Sequence, residues 1–321
     1  MLFRKEIIID KKQIDINHSD KILLLGSCFS HNIYNKLIES AFYASQPFGT
    51  LYNPITIANN LNRILNKSPY QDEDVVESNN IYYSWHHSGK TFSNSKDKLL
   101  ENLNNELLFL NKELTESKYI IITLGSAFVY NYLNFGIVGN CHKIPKNNFI
   151  KTLLRVEEIV DKWSLLLSKL KNKQIIFTVS PVRHWSDGSI NNTLSKSVLH
   201  LAINKIINKN SSCFYFPSYE IIIDELRDYR FYKSDMLHPT NQAIDYVWLK
   251  FQNFAINEEN QGLIDKVIAI NKSLSHKPFY SRNSQYKEHL IRTLDTINYI
   301  KDLTPLYSWK EEIDFINNSL N

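Results

Sequence analysis

The stretch Leu23-Leu24-Leu25-Gly26-Ser27-Cys28-Phe29-Ser30 decides how this chain is read. Its leucines form a short apolar run of the kind that a parallel sheet buries on both faces. Gly26 can supply a tight turn, and a helical pattern over residues 30–40 follows. Strand, turn and helix together place two candidate nucleophiles, Ser27 and Cys28, at the mouth of the helix. Unpaired backbone N–H groups and the helix dipole favour a thiolate there, and the same donors can hold an oxyanion. Ser27 needs a base more than Cys28 does, because a hydroxyl is a poor nucleophile without one.

Further apolar runs read as buried strands over 119–124, 175–179 and 214–216, with a weaker one over 41–45. Between them lie helical patterns over 54–65, 96–114, 149–170 and 194–207. The third of these four carries Leu153, Val156, Ile159, Val160, Trp163 and Leu167 at helical spacing, which is a core face. Alternating strands and helices predict a parallel sheet covered on both sides. Residues 81–92 and 130–143 break the rhythm and read as hairpins. Beyond about 254 the chain turns polar and helical without strands. The expected division is therefore an α/β domain over 1–254 and a helical C-terminal extension over 255–321, packed on it or appended to it.

At 321 residues with 43% hydrophobic content, the chain can bury a full core. Its 37 basic and 33 acidic side chains leave a net charge of only +4, with no run of five like charges. Nothing there points to nucleic acid or an anionic membrane. Three scattered cysteines, Cys28, Cys141 and Cys213, make neither a disulfide framework nor a CxxC metal site and fit a reducing compartment. The first residues lack the pattern of a signal peptide, and no apolar run approaches the roughly 18 residues that span a bilayer. The expected location is the cytoplasm.

Ligands of an open α/β sheet bind beyond the carboxyl ends of its strands. The strand assignment puts Ser27, Cys28, Gly49, Gly125, Ser126, the run Ser180 to His184, and Ser218 at that edge. Arg183 and His184 suit the anchoring of a substrate, since a guanidinium clamps carboxylate or phosphate. Far downstream, Asp235-Met236-Leu237-His238-Pro239 spaces a carboxylate so that it can reach one imidazole nitrogen while the other faces the cleft. The competing reading makes Asp235 a cap for the helix that carries Tyr246, Val247 and Leu249. Asn140-Cys141-His142-Lys143 also concentrates polar chemistry, but no second ligand pair accompanies it and no metal is expected. His86 and His87 beside Trp85 read as loop surface or aromatic packing. No Walker-type or dinucleotide-binding glycine pattern occurs, and no cofactor is expected.

These blocks resemble the GSCFA-domain family. Gly26-Ser27-Cys28-Phe29 looks like its signature, with Ser30 in place of Ala. The likeness continues through Pro47 to Pro54, Thr123 to Ala127, Asn140 to Lys143, Ser180 to Gly188, Phe216 to Glu220, and Asp224 to Pro239, covering roughly residues 20 to 250. That family is similar in turn to the SGNH (GDSL) hydrolases. The resemblance implies a flavodoxin-like three-layer α/β/α sandwich, mainly parallel, with β-hairpin insertions and the helical extension. It aligns Cys28 with the nucleophile and Ser27 with the preceding Asp, and a one-residue slip would make Ser27 the nucleophile instead. Asp235 and His238 match the last block, and Gly49 looks like an oxyanion donor through its N–H. Ala127 stands where those enzymes carry an Asn donor, so Asn140 is the suggested replacement. Arg183, His184 and His142 would line the substrate cleft.

The function so implied is an acyl esterase or acyltransferase working through a covalent acyl-enzyme, on an acylated small molecule, carbohydrate or cell-envelope precursor. The alternative is a non-catalytic binding module that keeps the cleft. A phosphoryl-transfer enzyme lacks the acidic metal cluster it would need. Oligomeric state is not legible.

Overall fold

The computed structural model describes residues 5–10, 14–133, 135–275 and 284–320. The first part of the chain runs β1 (Lys21–Gly26), α1 (Cys28–Glu39), β2 (Tyr43–Ser45), α2 (Pro54–Asn66), β3 (Val75–Ser78), β4 (Ile81–Ser84), β5 (Phe92–Ser93) and α3 (Lys96–Glu116). Next come β6 (Tyr119–Leu124), β7 (Phe128–Tyr132), β8 (Gly136–Val138), β9 (Phe149–Leu153), α4 (Val156–Leu167), β10 (Gln174–Val179) and α5 (Ser189–Lys209). The last elements are β11 (Cys213–Tyr215), the single turn α6 (Ser218–Glu220), α7 (Asn241–Ala255), α8 (Gln261–Ser275), α9 (Ser284–Ile300) and α10 (Lys310–Leu320).

Five strands pair in parallel in the order β2-β1-β6-β10-β11. Counted along the chain among themselves, they read 2-1-3-4-5, the flavodoxin-like order, with its switch point between β1 and β6. Successive side chains of a strand face opposite layers, and β1 shows why both layers form. Leu23 and Leu25 join Leu61, Leu103, Trp163 and Leu199 in the core beneath α2, α3, α4 and α5. Ile22 and Leu24 join Phe29, Ile33, Val247 and Phe251 beneath α1 and α7. The protein is a three-layer α/β/α sandwich. A third cluster, with Leu290, Ile297 and Trp309, is built by α8, α9 and α10 and touches the sandwich through Ala41.

Each expected hairpin is part of a three-stranded antiparallel sheet, β3-β4-β5 and β8-β7-β9. The helix expected over 149–170 opens with a strand: β9 pairs antiparallel with β7 from Phe128↔Leu153 to Tyr132↔Phe149. Leu153 matches the spacing of the helical stripe by coincidence. Phe149-Ile150-Lys151-Thr152 offers β-branched residues to a half-exposed strand, and the helix begins only at Val156, where Glu158 Oε2 accepts the Arg155 N–H at 2.7 Å. Helix α1 begins at Cys28, two residues before the expected start, so Cys28 sits in its first turn.

Trp85, His86 and His87 are buried rather than loop surface. Asp74 accepts from Arg63 at 2.8 Å and from the His86 ring at 2.6 Å. The His87 Nδ1 meets Ser84 Oγ at 2.9 Å, and its ring packs 5.0 Å from that of Phe48, the residue before Gly49. The small β3-β4-β5 sheet thus braces the Gly49 turn from behind, with the Ser88 N–H donating to the Phe48 carbonyl at 3.2 Å.

Two outcomes follow for stability. A Cβ at Gly26, where φ is +138°, would sit 2.2 Å from the Thr123 carbonyl oxygen, so Gly26→Ala is expected to lose about 3 kcal/mol or more in urea denaturation. Burial depresses the His87 pKa to about 3, so the folded protein keeps this ring neutral where the unfolded chain protonates it. Stability from His87 is complete above the ordinary histidine value of about 6.5 and drains away as pH falls towards 3, at up to ~1.4 kcal/mol per pH unit. Denaturation midpoints measured across that window should fall steeply in the wild type and less steeply in His87→Gln.

Candidate active site

The carboxyl edge of the sheet at the β1/β6 switch point gathers the reactive groups. Gly26 ends β1 against Thr123, the Ser27 N–H donates to the Thr123 carbonyl at 2.9 Å, and α1 starts at the next residue. Cys28 is therefore carried at a helix N-terminus, partly exposed. The stretch from Gly49 to Tyr52 runs beside it, with the Leu51 N–H on the Gly26 carbonyl at 2.8 Å and Thr50 bridged to Gly26.

The partner arrives from the other end of the chain. His238 Nε2 lies 3.7 Å from Cys28 Sγ, and His238 Nδ1 lies 2.7 Å from Asp235 Oδ2. The other carboxylate oxygen accepts the N–H groups of Leu237 and His238, both at 2.9 Å. Met236 takes a left-handed conformation with φ of 60° to close this loop. The backbone N–H donors of His238 and Leu237, then the imidazole itself, hold the Asp235 carboxyl down at about 2. With an ionised acceptor on Nδ1, the ring keeps its proton there and turns the Nε2 lone pair to the thiol. The alternative of Asp235 as a helix cap does not describe the loop: Thr240 occupies the N-cap of α7, its Oγ1 accepting from Ala243 N at 3.4 Å.

Burial pushes the Cys28 thiol above its ordinary value, opposed by the charge of Lys196 and by the N–H groups of Phe29 and Cys28. Ser27 is 1% exposed and its Oγ has no hydrogen-bond partner among the described residues. The imidazole is brought to Cys28, and no contact between it and Ser27 is present.

The donors for an oxyanion divide clearly. The N–H groups of Gly125 and Ser126 both donate to the Tyr52 carbonyl, at 2.8 and 3.0 Å, and that of Ala127 donates to Ser195 Oγ at 2.7 Å. All three are occupied. Gly49 turns with φ of +64° in a space too small for a side chain, its would-be Cβ 2.3 Å from Ser88 Oγ. Its N–H has no partner among the described residues. Asn140 spends its Oδ1 on the His142 N–H at 2.9 Å while lining the adjoining cavity.

That cavity, of about 380 Å³, is walled by Phe128, Tyr130 and Phe149 of the β8-β7-β9 sheet, with Tyr52, Asn140 and His184 among its other residues. His184 stands at its rim, with Nδ1 3.0 Å from Asp187 Oδ2. Arg183 does not line it; its charge acts on Lys196, Tyr219 and Tyr232, and it has no ion-pair partner among the described residues. His142 does not line the cavity. Its ring is buried against Tyr83, 4.8 Å between centroids, and its Nε2–H donates to the Ser84 carbonyl at 2.8 Å.

Two residues here escape a reading by sequence. Tyr52 lines the cavity, and its hydroxyl lies within electrostatic reach of Cys28. Lys196 is 2% exposed, on the stripe of α5 that continues through Leu199, Ile203 and Ile206. Polar residues at helical spacing along an apolar stripe (Asn192, Ser195, Lys196) were the available signal. Among the described residues no cluster of His, Cys, Asp and Glu is arranged to hold a metal, and no helix is long and apolar enough to cross a membrane.

Similarity to known proteins is of two kinds. Solved structures that resemble this fold include a carbohydrate esterase family 3 protein from Talaromyces cellulolyticus, 10% identical, with a TM-score of 0.33 over 77% of this chain and 98% of that one. Another is the acetyl xylan esterase Est2A from the rumen bacterium Butyrivibrio proteoclasticus, 14% identical, with a TM-score of 0.34 over 76% of this chain and 67% of that one. No curated protein matches the sequence. Residues 21–251 match the GSCFA family, and residues 267–321 match the C-terminal domain of GSCFA domain proteins. With the signature Gly26-Ser27-Cys28-Phe29 at the switch point of the sheet, this chain belongs to the GSCFA family.

Proposed function

We propose that this protein is a thiol-dependent acyl esterase or acyltransferase. The observation that carries the reading is the chain of contacts from Cys28 Sγ through the His238 ring to the Asp235 carboxylate, at 3.7 and 2.7 Å. Nucleophile, base and orienting group stand in the order that covalent acyl transfer needs. His238 Nε2 takes the thiol proton as Sγ attacks the ester carbonyl. The N–H groups of Cys28 and Gly49, with the Asn140 side chain, stabilise the tetrahedral oxyanion. Collapse breaks the bond to the alkoxide, which leaves with the proton from the imidazolium. The thioester then passes its acyl group to water or to an acceptor alcohol or amine, deprotonated by the same nitrogen, and the thiol is restored.

The cavity beside Tyr52 supports a substrate of sugar size, since pockets for small molecules begin at about 300 Å³. Its aromatic wall suits the apolar faces of a carbohydrate ring, and His184 at the rim offers a polar anchor. An acylated carbohydrate or cell-envelope precursor is the proposed substrate class.

A second reading, a binding module with an inert cleft, draws on the Ala127 position and on the occupied N–H groups of Gly125, Ser126 and Ala127. Incubation with p-nitrophenyl acetate, followed by peptide mass spectrometry, separates the two. Acetylation at Cys28 is expected, retained in Ser27→Ala and absent in Cys28→Ala. In His238→Ala it should form about 10² to 10⁴ times more slowly. Reading individual peptides matters because Cys141 lines the cavity beside Tyr52. Acetyl transfer that ignores all three substitutions would sink the enzymatic reading in favour of the binding module.

A further inference from the structure

Lys196 is the buried cation that the acyl-transfer scheme leaves without a task. Its Nζ donates to the Gly125 carbonyl and to the Ser180 carbonyl, both at 2.7 Å, which ties the ends of β6 and β10 together. Those bonds employ two of three N–H donors and cancel no charge. No carboxylate lies within ion-pair distance of it among the described residues. The nearby Arg183 carries the same sign and makes the position less favourable for a cation. Buried charge in a dry interior is retained only where an opposite charge meets it.

One acidic group, the Cys28 thiol, lies within electrostatic reach of it. Gly125, whose carbonyl Lys196 holds, packs directly on Ser27: a Cβ there would touch the Ser27 Cβ at 3.1 Å. Ser27 precedes the cysteine, and the thiol and the ammonium lie within electrostatic reach of each other. Around Cys28 the ionisable neighbours are His238 from the loop before α7, Tyr52 from the stretch after β2, and Lys196 from α5. Around Lys196 they are Cys28, Arg183 after β10, and His200 one turn along α5, which itself faces Glu220 at 3.6 Å.

We propose that Lys196 is a positioning residue of this site, a buried ammonium clamped between the Gly125 and Ser180 carbonyls that acts as the counter-charge of the Cys28 thiolate. It performs two tasks through one atom. It sets the geometry of the loop after β6, together with Ser195 on Ala127, and it favours the ionised thiol against the burial that opposes it. Burial lowers the lysine pKa to about 7 and raises that of the thiol, and the charge of each works against this effect on the other, so the two titrate as a coupled pair. The catalytic meaning rests on Cys28 as the nucleophile, whereas the coupling itself exists without any substrate.

Alkylation of Cys28 by iodoacetamide, followed by peptide mass spectrometry over about pH 6 to 10, reads the thiolate fraction directly. Lys196→Gln keeps a donor for the carbonyls and removes the charge. In a His238→Ala background, where the imidazole no longer contributes, this substitution should move the midpoint of the alkylation rate up by about one pH unit. Below the midpoint the rate should fall about tenfold. A folded Lys196→Gln protein with an unmoved midpoint overturns the proposal, and a merely structural lysine would give that result. Should Lys196→Gln fail to fold, the titration of ¹³C-labelled Lys196 is compared between the otherwise unaltered chain and Cys28→Ala. The lysine midpoint should drop when the thiol is removed, and an unchanged midpoint overturns the coupling. A shifted midpoint in a protein that never acetylates would leave the coupling standing and remove the acyl-transfer reading. The converse pattern would do the reverse.

Discussion

Gly26 and the Thr123 carbonyl approach each other so closely that no side chain fits between them, and the geometry of the site is propagated from this crossing. The Ser27 N–H is bound to the same carbonyl, so the chain leaves β1 in one direction only and enters α1 at once. Cys28 is thereby placed in the first helical turn, at the point where strand order reverses, with backbone donors around it. The stretch from Gly49 to Tyr52 is pinned to the same corner by the Gly26 carbonyl on one side. On the other, the N–H groups of Gly125 and Ser126 bind Tyr52. A single glycine-permitted close approach thus sets the mutual positions of nucleophile, turn and wall.

The small antiparallel sheets serve this corner in different ways. The β3-β4-β5 sheet lies behind the Gly49 turn and stiffens it with rings, Phe48 against His87 and Tyr70 against both His86 and His87. Its buried ion pair, Asp74 with Arg63, ties that sheet to α2. The β8-β7-β9 sheet instead stands beside the site and offers its aromatic side to the cavity. One insertion supplies rigidity and the other supplies surface. Neither is part of the parallel core, so both can vary without disturbing how α1 leaves β1.

Much of this was legible because the core strands announce themselves. Runs such as Tyr119 to Leu124 are almost wholly apolar and are buried at every position, as suits a doubly covered strand, and the resulting topology brings the β1 edge and the β6 edge together. The Asp235–His238 spacing was legible for a local reason, since an Asp can fold back on the N–H groups two and three residues later. What stayed hidden depends on tertiary contacts. Phe149 to Leu153 is a strand because β7 is available to pair with it, and its own pattern also suits a helix. His142 reads as a polar group near a cleft, but Tyr83 and Trp85 bury it. Lys196 looks like one of many surface lysines until the loops after β6 and β10 close over it.

The loop that bears His238 differs in kind from the edge that bears Cys28. Its internal ties are short-range, Asp235 to His238, Lys233 N–H to the His238 carbonyl and Met236 N–H to the Lys233 carbonyl, and the Asp235 and His238 side chains are nearly half exposed. The thiol sits at the start of α1, which the sheet edge holds in place, while the base belongs to a segment with mostly local ties, the kind that can open by itself. Amide hydrogens of the two should consequently exchange with different free energies. On this reading moderate heat or denaturant is expected to separate the imidazole from a sulfur that is still held in place.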